Sequence, residues 1–105
     1  MKKRNFEEAK TRAELMLRDR VKFIEIPDDI NILDDQFIQG DGFWIFFMNK
    51  NITLHPEDWF LKQFSAYIVG ETGGGGYMRD LRKNPIELQK ALDGLAIAYR
   101  SNTDK

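Results

Sequence analysis

Six consecutive apolar residues, Phe43-Trp44-Ile45-Phe46-Phe47-Met48, limit what this chain can fold into more than any other feature. Gly40-Asp41-Gly42 marks a turn before the run, and Asn49-Lys50-Asn51 closes it with polar residues. Six residues suit a strand and fall short of a helix. No position alternates to polar, so both faces of that strand have to be covered. The run therefore predicts a central strand with a layer on each side of the sheet. A chain of 105 residues builds one such core, so residues 1–105 read as a single domain. The hydrophobic fraction of 42% and a net charge of −1 exclude a disordered chain.

Two amphipathic helices flank the β-rich middle. Asn5 is a good N-cap, with Glu8 three residues on, and Phe6, Ala9, Ala13, Met16 and Leu17 make one stripe of a helix over about residues 6–20. At the other end Asn84 caps, Pro85 takes the first helical position and Glu87 completes the box. Ile86, Leu88, Ala91, Leu92, Leu95, Ala96 and Tyr99 give this last helix a broad apolar face to about Arg100.

Between them, Val21–Ile26 reads as a strand, and Ile30–Leu33 and Gln36–Gln39 as weaker ones separated by Asp34-Asp35. His55-Pro56-Glu57-Asp58 opens a short helix running to about Gln63. Phe64–Val69 and Tyr77–Leu81 form a hairpin joined by a flexible loop from Gly70 to Gly76. The sum is an α+β domain: an antiparallel sheet of about four to five strands packed with an N-terminal and a C-terminal helix.

Charge is unevenly spread. Residues 1–22 hold eight Lys or Arg against four acids. Residues 23–49 hold no base and six acids, Glu25, Asp28, Asp29, Asp34, Asp35 and Asp41. So one-sided a stretch predicts an acidic surface and argues against a nucleic-acid partner. The plainer alternative is that these acids only keep turns and sheet edges soluble.

The residues with chemical potential form no catalytic set, and no catalytic residue or cofactor is expected. With no Cys there is no disulfide, thiolate zinc site or cysteine nucleophile. His55 is the one histidine and lacks a second ligand at helical spacing. Gly70-Glu71-Thr72-Gly73-Gly74-Gly75-Gly76 is followed by Tyr77-Met78-Arg79, not by the Lys-Ser/Thr and helix that a phosphate loop requires. The Asp28-Asp29 and Asp34-Asp35 pairs do not fit a calcium-loop spacing, so no metal is expected there either. No apolar run approaches the roughly 20 residues that cross a bilayer, and no membrane partner is expected. Asn5-Phe6-Glu7-Glu8 follows the basic start where a signal peptide needs an apolar stretch, which points to a cytoplasmic chain.

Gly42-Phe43-Trp44-Ile45-Phe46-Phe47 resembles the Gly-Trp-Val-Phe-Phe-like strand of a family of small bacterial immunity proteins, the immunity protein 35 family. The order of the surroundings is similar too: an amphipathic first helix, an acidic strand-bearing segment, the strand Ala66-Tyr67-Ile68-Val69 and a last helix opened by Asn84-Pro85-Ile86-Glu87. The chain departs from the family in its four consecutive glycines, Gly73–Gly76, and in Lys62-Gln63-Phe64-Ser65 before the hairpin strand. The resemblance implies a cytoplasmic protein of an interbacterial competition system that binds a cognate toxin domain and catalyses nothing. It assigns no contact residues. The acidic stretch supplies the candidates: Asp28, Asp29, Asp34, Asp35 and Asp41 as a surface for a basic toxin cleft. A chaperone-like or general protein-interaction module is the alternative reading, and a small-molecule-binding domain a third.

Overall fold

The computed structural model describes residues 3–20, 31–49, 52 and 65–103. Helix α1 spans Phe6–Arg20, strand β1 Leu33–Gly40, β2 Phe43–Met48, β3 Ala66–Gly70, β4 Gly75–Met78, and helix α2 Pro85–Thr103. The four strands form one antiparallel sheet in the order β1-β2-β3-β4. The architecture is α+β.

The apolar run occupies an interior strand and is buried along its whole length. Because side chains alternate across a sheet, β2 and β3 build two cores at once. Trp44, Phe46, Met48, Tyr67 and Val69 face α1, where they meet Ala9, Ala13 and Leu17. Phe43, Ile45, Phe47, Ala66 and Ile68 face the other way, against Leu92, Leu95, Ala96 and Tyr99 of α2. The helices thus lie on opposite faces, as an all-apolar strand requires.

The two covers differ in depth. Ala9, Ala13 and Leu17 are fully buried, since small residues at four-residue spacing let the α1 backbone settle close to the sheet. Every α2 residue from Pro85 to Tyr99 keeps some exposure.

Local chemistry sets the ends of these elements. The capping box of α1 is reciprocal: Glu8 N–H donates to Asn5 Oδ1 at 2.8 Å and Asn5 N–H to Glu8 Oε1 at 3.2 Å. Gly42 turns the chain between β1 and β2 with φ +91°, a conformation in which a side chain is strained. Ahead of α1, Arg4 N–H donates to Glu71 O at 2.7 Å and Arg4 Nη1 to Gly70 O at 2.9 Å, tying residues 3–5 to the β3–β4 loop.

Three boundaries differ from the sequence pattern. Of the weak segment Ile30–Leu33, Asn31 and Ile32 are not strand and Ile30 lies outside the described residues; β1 starts at Leu33 and runs through Asp34-Asp35 to Gly40 with an irregular register. Strand β3 begins at Ala66 and runs on to Gly70. Strand β4 starts at Gly75 and stops at Met78, so two of the loop glycines belong to the sheet. They pair with Val69 and Ile68, and the ladder of β3 holds extended a stretch whose own side chains carry no strand pattern. The expected strand Val21–Ile26 and the expected helix from His55 lie outside the described residues.

Candidate interaction surface

Among the described strands β1 lies at one edge of the sheet, and it does not run straight. Leu33 pairs with Met48 and Phe37 with Phe46, so four steps along β1 match two along β2. The surplus residues form a bulge at Asp34-Asp35-Gln36, which blunts the edge. Within it Gln36 N–H donates to Asp34 Oδ1 at 3.3 Å.

Arg82, on the turn before α2, holds this bulge. Its Nη1 donates to Asp34 Oδ2 at 3.2 Å and to Gln36 Oε1 at 2.9 Å. Its Nε and Nη2 donate to Asp80, the shortest bond being 2.6 Å. Partial burial pushes the Asp34 carboxyl up, but bonds from the Gln36 N–H and the Arg82 guanidinium outweigh it and hold the group below the usual carboxylate range. Burial likewise pushes Asp80 up, and the Arg82 side chain and backbone N–H bring it below its ordinary value.

On the α1 side of the same strand stands Phe37, 43% exposed. Its ring stacks on Phe6 at 4.6 Å between centroids, and Phe6 stacks in turn on the buried Phe46 at 5.7 Å. One side of Phe37 is thus fixed to the core and the other meets solvent. A hollow of about 250 Å³ lies between α1 and β1, with Lys10, Glu14 and Arg18 along its helical wall. A second, open depression of about 470 Å³ lies toward α2, with Ile38, Phe47, Arg82 and Leu88 in its lining. Asp35 and Phe37 border both, so the bulged strand is a ridge between two hollows.

The five aspartates expected to act together are placed unequally. Asp35 and Asp41 are exposed, at the bulge and in the β1–β2 turn. Five residues of strand lie between them, a path of about 20 Å. Asp34 is engaged by Arg82. Asp28 and Asp29 lie outside the described residues. The stretch carries no base of its own, yet the fold brings Lys10, Arg18 and Arg82 beside it. Phe37 and Arg82 were not singled out by sequence. Phe37 sits in a segment with weak strand signal, and the partners of Arg82 lie up to 48 residues away.

The glycine-rich loop leads into β4 and not into a helix, so it presents no helix N-terminus to a phosphate. Among the described residues no group of three His, Cys, Asp or Glu side chains is placed to hold a metal ion. No helix among them is long and apolar enough to cross a membrane. In comparisons with known proteins, no family model, no curated protein and no solved structure matches this chain.

Proposed function

We propose that this chain is a non-catalytic binding protein, an immunity protein that neutralises a cognate toxin domain in the cytoplasm of the producing cell. The observation that carries the reading is Phe37: an exposed aromatic ring, fixed by its stack on Phe6, on a ridge beside Asp35 and between two hollows. Aromatic anchors held rigid and ringed by polar groups are the usual centre of a protein–protein contact. Asp35, exposed beside it, fits a basic surface, as on toxins that cut nucleic acid, and such a charge would raise the association rate more than the affinity. The resemblance of Gly42–Phe47 to the immunity protein 35 strand supports the same reading.

The test is co-expression with the toxin encoded beside this chain, scored by cell survival, then binding kinetics with the purified pair. Phe37→Ala is expected to raise Kd by tenfold or more, as truncated anchors do. Converting Asp28, Asp29, Asp34 and Asp35 to Asn together is expected to slow association and flatten its salt dependence. Full protection and unchanged kinetics in both variants would remove β1 from the interface. Absence of protection by the unaltered chain would overturn the function itself. Recovery of many clients in place of one stoichiometric partner favours a chaperone-like module.

A further inference from the structure

The outward side of α2 carries two isoleucines that none of the described elements covers: Ile86 is 71% exposed and Ile97 62%. Eleven residues separate them, three helical turns, so they stand on one line. Lys90 and Asp93 lie on the same line, giving Ile86, Lys90, Asp93 and Ile97 the four-three-four spacing of a coiled-coil seam. Leu92, Leu95 and Tyr99, which pack on the sheet, occupy the other side of the helix.

We propose that this seam is a self-association surface, on which α2 of a second copy of the chain lies antiparallel about a two-fold axis. The sequence of the seam is self-complementary in that direction only. An axis midway between positions 90 and 93 sets Ile86 against the second copy's Ile97, and Ile97 against its Ile86. The same axis sets Lys90 against the second copy's Asp93, and the reverse. Parallel pairing brings Lys90 to Lys90 and Asp93 to Asp93, which repel. An isologous contact of this kind closes as a dimer and does not propagate.

The two ionic pairs in the middle of the seam fix register and direction at some cost in stability, the role such pairs have in coiled coils. Neither Lys90 nor Asp93 is in an ion pair among the described residues. Gln89 Nε2 donates to Asp93 Oδ1 at 2.9 Å, and a carboxylate with two oxygens can accept from a lysine as well. A seam of one helix is small beside a standard interface, so the dimer is weak, with Kd on the order of 10–100 µM. The surface lies on the opposite face of the sheet from α1 and is independent of the reading of Phe37.

Sedimentation of the full chain across concentrations from about 5 to 500 µM tests this. The unaltered chain is expected to shift from monomer to dimer over that range, and Ile97→Asp to stay monomeric. Lys90→Asp or Asp93→Lys alone places like charges together, and each is expected to weaken the dimer by about tenfold or more. The double variant Lys90→Asp with Asp93→Lys restores complementarity and is expected to return the dissociation constant to within about threefold of the parent. All these positions are exposed, so thermal melting should remain near that of the parent and report an intact fold. A parent that stays monomeric throughout, a dimer that survives Ile97→Asp, or a double variant as weak as the singles overturns the proposal.

Discussion

The guanidinium carbon of Arg82 sits over the buried ring of Phe47, 4.0 Å from its centre. Phe47 is 1% exposed, so the arginine closes one end of the α2-side core while its edge reaches Asp80, Asp34 and Gln36. A single side chain thus joins the core, the bulge of β1 and the turn that starts α2.

Arg82→Ala removes the stacking and the charge-assisted bonds together. A loss of about 2 kcal/mol is expected, below the sum of those parts because the group is partly solvated and screened. Arg82→Lys keeps the charge but loses the planar fork, and at least half of that loss is expected to remain. Urea unfolding of both variants measures it. A lysine variant as stable as the parent would mean that only the charge mattered.

Acid sensitivity follows from the same cluster. Asp34 and Asp80 are held below their ordinary range in the folded state, so the folded protein binds their protons less readily than the unfolded chain. Their contribution is complete above the unfolded value of about 3.9 and fades as pH falls through the lowered folded values. Melting temperature should therefore drop from roughly pH 4 downward, and less steeply in Arg82→Ala. Parallel pH curves for parent and variant would remove the cluster as the cause.

Two neighbouring glycines should respond oppositely to alanine. A Cβ at Gly75 would stand 2.7 Å from the Ile68 carbonyl oxygen across the β3–β4 ladder, so Gly75→Ala is expected to cost about 1–3 kcal/mol. At Gly76 no described atom lies within 4 Å of that position and φ is not positive. Gly76→Ala is expected to be neutral or to stabilise by a few tenths to about 1 kcal/mol, by restricting the unfolded chain. Thermal melts of the two variants compare them directly, and equal behaviour would contradict the placement of β4.

Phe46 and Phe37 face each other across β1 and β2 yet should separate stability from binding. Phe46 is buried between Phe6 and the sheet, and Phe46→Ala is expected to cost about 3–5 kcal/mol. Phe37→Ala loses one stacked face of a half-exposed ring, about 1 kcal/mol. Denaturation midpoints check the pair, and comparable losses would place Phe37 in the core rather than at a contact.

What the sequence determined by itself were the features that short-range chemistry controls. The uninterrupted apolar run from Phe43 to Met48 required an interior strand, because six apolar residues in extended form have no face to show to water. Asn5 with Glu8, and Asn84 ahead of Pro85, located the starts of both helices, because the first N–H groups of a helix need acceptors within three residues. The turn at Gly42 and the absence of a helix after the glycine loop were legible in the same way. Tertiary structure decided the rest. Gly75 and Gly76 extend because β3 offers a ladder, although a glycine has no side chain to announce a strand. Asp34 is engaged by an arginine 48 residues on, and Lys10 and Arg18 line one hollow with Asp35 only because α1 packs across the face of the sheet. The acidic stretch was plain in the sequence, but the field at each carboxylate depends on charges that the fold brings within a few ångströms. Sequence separation does not measure that distance.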